Sequence, residues 1–272
     1  MNLYHIITEI EKADEEFADR VSPRRKVMKD FFSFSGKLVL SAVPLALGSI
    51  FSKAYGQTVP SKVIDILNFA LTLEYLEHNF YQTGLNKSGL VKNKDNIAAI
   101  REHERAHVKF LYETIAAAGG RPVSEGRYDF TAGGKFADVF TNYDTFLHVA
   151  QGFEDTGVRA YKAQASSLDS AKDIMKAALQ IHSTEARHAS HIRFARRMNG
   201  YNTSVKPWIV GNDNTTGTPY EAIYKGEEDN SQVIFAIENI NGMDVGNAAT
   251  SSFDEPLPKD DVMKIASMFI LP

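Results

Sequence analysis

The stretch Glu102-His103-Glu104-Arg105-Ala106-His107 decides how the rest of the chain is read. Within it, Glu104 and His107 form a Glu-x-x-His pair, and the pattern returns at Glu185 and His188 in Ser183-Thr184-Glu185-Ala186-Arg187-His188. On a helix, residues three apart share a face, so each pair offers a carboxylate and an imidazole to one point. One such pair means little. Here each is preceded by a lone glutamate at a matching distance: Glu74 lies 30 positions before Glu104, and Glu154 lies 31 before Glu185. The chain therefore reads twice as glutamate, one helix and turn, then Glu-x-x-His.

Four helical stripes carry these residues. The first runs from Ser61 to about Leu85 with Leu67, Leu71, Glu74, His78 and Tyr81 on one face. The second spans about 94–118, with Ile97, Ile100, Glu104, His107, Leu111, Thr114 and Ala118. The third spans about 142–165, with Leu147, Ala150, Glu154, Val158 and Tyr161, and the fourth about 170–198, with Ile174, Ala178, Ile181, Glu185, His188, Ile192 and Ala195. Spacings of three and four mark amphipathic helices, and an acid inside an apolar stripe is costly unless paired or metal-bound. If these positions faced solvent, the apolar stripes would be exposed with them. Between the second and third helices, residues 121–140 are irregular, with a short helix expected near Phe136 to Phe140.

The fold class that follows is all-α. The sequence resembles the ferritin-like di-metal carboxylate superfamily over roughly residues 60–200, a four-helix antiparallel bundle with one long crossover whose core holds two metals on such a ligand set. The resemblance implies six ligands: Glu74, Glu104 and His107 nearer one ion, Glu154, Glu185 and His188 nearer the other, with Glu104 and Glu185 bridging. Oxygen and nitrogen donors suit iron or manganese and would also accept zinc. Two imidazoles bring the site closer to bacterioferritins, rubrerythrins and manganese catalases than to ferritins with a single histidine. Within the superfamily, Leu73-Glu74-Tyr75-Leu76-Glu77, Glu104-Arg105-Ala106-His107, Phe153-Glu154-Asp155 and Phe253-Asp254-Glu255-Pro256-Leu257 resemble the group that includes desiccation-related proteins. The implied function is reaction of the metals with dioxygen or peroxide in iron handling or stress protection. The alternative is a non-catalytic scaffold with a structural or vacant site. The expected assembly is a homodimer.

Tyr81 and Tyr161 each follow their lone glutamate by seven positions, about two helical turns, which puts both phenols on the metal-facing side. They read as packing or outer hydrogen-bond partners of the ligands, with electron donation as the sharper role. His78, His103, His182 and His191 are candidate extra ligands, His182 the best placed, one turn before Glu185. Glu77 and Glu102 are candidate outer partners for the ligand histidines.

Composition limits the alternatives. There is no cysteine, which excludes disulfides, thiolate nucleophiles and iron–sulfur clusters, rubrerythrin's cysteine-bound iron included. A net charge of −4 gives no electrostatic reason to expect nucleic acid. Residues 1–57 read as a leader. Ser22-Pro23-Arg24-Arg25-Lys26-Val27-Met28-Lys29 and the apolar run from Leu38 to Phe51 resemble a twin-arginine export signal, too short for a comfortable membrane span. Export, to the periplasm or beyond, is the expectation, with a cytosolic helical hairpin as the alternative. Residues 58–200 are expected to be the bundle, and 201–272 a tail folded over it. Trp208 is a candidate anchor for that tail, Val233 to Ile237 a strand or buried edge, and Val262, Ile265 and Phe269 one apolar face.

Overall fold

A computed structural model describes residues 59–212, 220–229, 231–232, 235–236, 239–240, 243–244 and 249–272. These lie in one compact unit, Tyr55–Pro272. The leader expected over 1–57 falls outside the described residues, as do Val233, Ile234 and Ile237. Among the described residues, no helix is long and apolar enough to cross a membrane.

Four long helices form: α1 (Ser61–Asn86), α2 (Lys94–Ala117), α3 (Tyr143–Ala165) and α4 (Lys172–Met198). Asn93 caps α2 and Asn142 caps α3, each side chain accepting a backbone N–H of the first turn. Two glycine stops end α2 and α4. Gly119 (φ 78°) and Gly200 (φ 74°) take the left-handed conformation that glycine adopts without a Cβ clash. Gly120 N–H then reaches the Ile115 carbonyl, and Tyr201 N–H the Arg196 carbonyl, closing the last turns. Helix α1 packs along α2 and α3 along α4, and α1 meets α3 across the bundle. The architecture is the expected all-α four-helix bundle.

The crossover from α2 to α3 departs from expectation. Instead of a short helix, residues 130–141 form consecutive turns. Asp129 accepts from Thr131 N–H and Gly133 N–H, and Ala132, Gly133 and Gly134 all have positive φ. That left-handed run interrupts helix before Lys135, and beyond it Val139 N–H reaches the Phe136 carbonyl and Thr141 N–H the Asp138 carbonyl as separate turns. It folds Phe130, Phe136 and Val139 inward, where Phe130 joins Phe80, Phe146 and Phe153 in an aromatic cluster.

Beyond α4 the chain returns over α3. Helix α5 (Lys259–Ala266) buries Val262 and Ile265, and Phe269 beyond it meets Phe153 with ring centroids 4.8 Å apart. Strand β1 (Arg127–Tyr128) of the crossover pairs antiparallel with β6 (Ile270–Leu271). Two further two-stranded ribbons form, β2 (Ser231–Gln232) with β3 (Phe235–Ala236) and β4 (Asn239–Ile240) with β5 (Met243–Asp244). The mid-helix polar side chains of α3, Gln151, Asp155 and Arg159 among them, are thus covered rather than solvated. Arg159 donates to the carbonyls of Ile223, Lys225 and Glu255, and pairs with Glu227 at 2.6 Å. Arg193 of α4 clasps Asp155 through Nε and Nη2, and Tyr224 donates to the same carboxylate at 2.6 Å. The Trp208 side chain is not the anchor: it is 48% exposed, and what Arg193 holds is its backbone carbonyl, at 3.1 Å.

Candidate metal centre

Glu74, Glu104, Glu154 and Glu185, one from each helix of the bundle, are fully buried at its middle. They converge because each replaces an apolar residue in the inward stripe of its helix. Two groups of close donor atoms result, Glu74, Glu104, His107 and Glu185 in one, and Glu104, Glu154, Glu185 and His188 in the other. Glu104 and Glu185 belong to both. His107 Nδ1 lies 3.1 Å from Glu74 Oε2, 3.0 Å from Glu104 Oε2 and 3.1 Å from Glu185 Oε1. His188 Nδ1 lies 2.8 Å from Glu104 Oε1, 3.4 Å from Glu154 Oε2 and 3.8 Å from Glu185 Oε2. Glu104 and Glu185 therefore each turn one oxygen to each imidazole.

Several of these atoms are close without being bonded. Glu104 Oε1, Glu154 Oε2, both Glu185 oxygens and His188 Nδ1 are buried with no hydrogen-bond partner. Buried polar atoms are ordinarily satisfied, and leaving one unpaired costs about 1–3 kcal/mol. Carboxylate oxygens and imidazole nitrogens from different helices crowding one region, several without an aligned hydrogen bond, are what a cation would satisfy. The donor set, oxygens and imidazole nitrogens in two groups, fits metal ions.

The two tyrosines work crosswise. Tyr81, on the helix of Glu74, donates to Glu154 Oε1, and Tyr161, on the helix of Glu154, donates to Glu74 Oε1. Each lone glutamate thus has its outer oxygen held, leaving the inner one turned to the centre. Burial, then the facing carboxylate, pushes both phenols well above the usual tyrosine range.

Charge at the site is set by burial against proximity. Burial pushes Glu74 up to about 8 and Glu154 well above the carboxylate range. Burial also pushes on Glu104 and Glu185, but the two imidazoles override it and hold both below the usual value. Against their own desolvation, His107 and His188 are drawn well above theirs, by Glu74 and Glu104 and by Glu154 and Glu104 respectively. Without metal the cluster thus sets the charge preference of the two imidazoles against the desolvation of the four acids, and protons are shared within it.

Glu77 was expected as an outer histidine partner, but it lies elsewhere. It is buried beside the cluster, and burial with the neighbouring Glu185 keeps its carboxyl well above the usual range. Its signal was its place three residues after Glu74, on the same face. The matching position after Glu154 is Gly157, where a Cβ would stand 3.3 Å from Glu77 Oε1. Glu102 is also no histidine partner, since Arg105 and Arg101 hold it at the surface at 2.7 and 2.9 Å. His78, His103, His182 and His191 stand outside both donor groups. His182, the best placed by spacing, turns Nδ1 to the Val158 carbonyl at 3.0 Å. His103 instead touches a candidate ligand, with Nδ1 2.9 Å from His188 Nε2.

No curated protein matches the chain. The model of one family, described as a ferritin-like domain, matches residues 62–197, which takes in all four helices up to Arg197. With that match over half of its length and two buried carboxylate–histidine groups at its core, the chain belongs to the ferritin-like domain family.

Proposed function

We propose that the chain holds two metal ions, iron or manganese, on Glu74, Glu104, His107, Glu154, Glu185 and His188, and reacts them with dioxygen or peroxide in iron handling or stress protection. The observation that carries this is the set of buried, unpartnered oxygens of Glu104, Glu154 and Glu185 around two imidazole nitrogens. Four ionised carboxylates balance two divalent cations, so the loaded site is neutral in its dry surroundings, where an unbalanced charge would cost most.

Bound there, the metals supply the redox chemistry. The residues supply the rest. Glu104 and Glu185, each with one oxygen turned to His107 and the other to His188, would be shared by the two positions. Tyr81 and Tyr161 hold protons at the outer oxygens of Glu154 and Glu74, which fixes the carboxylate planes and keeps an O–H beside each metal position. Apolar neighbours such as Leu71, Leu111, Leu147 and Ile192, all nearly inaccessible, exclude water.

The test is elemental analysis of the chain purified without chelators, beside a Glu104→Ala/His107→Ala variant. About two iron or manganese ions per chain, lost in the variant, is the expected result, followed by dioxygen- or peroxide-dependent change in the wild type alone. Zinc alone or no metal in the folded wild type would overturn the reading in favour of a scaffold.

A further inference from the structure

The two halves of the centre differ at one contact. His103, immediately before Glu104, is exposed and stacks on His188, with ring centroids 5.2 Å apart and planes 11° apart. Its Nδ1 lies 2.9 Å from His188 Nε2, the nitrogen facing away from the carboxylates. The equivalent place in the other half, immediately before Glu185, is Thr184. Its hydroxyl donates to the Gln180 carbonyl at 3.1 Å and accepts from Arg187 at 3.0 Å, so it turns along its own helix. His107 thus receives no imidazole from the position that would correspond to His103.

Tautomers make this contact matter. A metal at His188 Nδ1 leaves that ring's only proton on Nε2. The proton is then donated to His103 Nδ1, and His103 carries its own proton on Nε2. Such an outer partner fixes both the tautomer and the plane of a ligand imidazole, and its removal typically costs 10–100-fold in metal affinity.

Resting on the di-metal reading above, we propose that His103 is a positioning residue for His188, and that through it the metal position lined by Glu104, Glu154, Glu185 and His188 binds more tightly than the one at His107. The two ions then enter in sequence, and the first step depends on a residue that touches no metal.

The experiment is Mn(II) titration of the full metal-free chain, with free ion read by electron paramagnetic resonance. The wild type takes up two ions in two resolved steps. His103→Ala weakens the tighter step by about 10–100-fold and leaves the other in place. His103→Gln, whose amide oxygen accepts the same proton, restores most of the loss. His103→Leu, which fills space without accepting, behaves like the alanine variant. The site is exposed, so circular dichroism should show all three variants folded. Two ions taken up identically by wild type and His103→Ala, equal weakening of both steps, or rescue by leucine as good as by glutamine would each overturn this inference alone. A wild type that takes up no ion would overturn the di-metal reading and this inference with it.

Discussion

At the scale of single residues, a centre of this kind would have to exchange protons for metal. In the metal-free chain burial raises Glu74 and Glu154, and the facing carboxylates raise His107 and His188, so each carboxylate–imidazole pair holds its proton more tightly than its groups would in water. Loading two divalent ions requires those ligands to be deprotonated, so binding should release protons. A pH-stat measurement near pH 7 checks this, and release close to zero would mean the ions bind elsewhere. Stability of the metal-free protein follows the same groups. Burial pushes the folded Glu74 carboxyl up to about 8, far above the ordinary carboxylate range, so between that range and 8 the native state holds more protons than the unfolded one. Its contribution to stability therefore falls as pH rises through that window. The raised histidines act in the same direction, their contribution being lost as pH rises beyond the ordinary histidine range. The melting temperature of metal-free protein should drop from pH 6.5 to 8, and saturating metal should abolish the drop. The convergence of the four glutamates and two histidines was legible because their spacing repeats. Glu77 and His103 were visible as residues but not in their roles, since one helix alone does not reveal what the opposite helix leaves open, here Gly157 and His188.

At the scale of elements, the helix pairs were legible and the covering of α3 was not. Stripes such as Ile97, Ile100, Glu104 and Leu111 predicted the inward faces, and those residues are buried. The roles of Gln151, Asp155 and Arg159 were not visible, because from sequence a charge that meets water and one that meets a distant carbonyl look alike. In the fold, Asp155 and Arg193 form a buried ion pair, both essentially inaccessible. Such a pair is weak evidence of net stabilisation, yet breaking it strands a charge at a cost of about 3–5 kcal/mol. Arg193→Ala should therefore lower the urea midpoint by an amount equivalent to about 3–5 kcal/mol, with metal content per folded chain unchanged. Gly84 marks a second constraint. A Cβ there would come within 2.2 Å of the Phe146 ring, so α1 and α3 meet closely at that end. Gly84→Ala should cost about 1–3 kcal/mol through overpacking, opposite in sign to the helix-propensity gain expected at an open site.

At the scale of the whole molecule, the bundle and its returning segment share one interior. Phe269 stacks on Phe136 and meets Phe153 edge-on, so the aromatic core is completed by residues far along the chain. Composition alone showed only a change of character after residue 200. That the segment docks through two buried arginines was not legible, because it depends on carbonyls supplied by irregular chain. Metal should also stabilise the whole, since a ligand that binds only the folded state at 100 times its Kd adds about 2.7 kcal/mol per site. Calorimetry with and without Mn(II) checks that gain, and an unchanged melting temperature would deny the ions a place in the folded core. The pairing of β1 with β6 has a consequence in time. Each helical hairpin joins neighbours in sequence and can form early, whereas the crossover is stitched by a strand that the chain supplies only after both hairpins, and contacts so distant carry the largest closure entropy. Folding should therefore proceed as two quick hairpins followed by a slow fastening. In pulse-labelling hydrogen exchange, the amides of Arg127–Tyr128 and Ile270–Leu271 should gain protection together, after those of all four long helices.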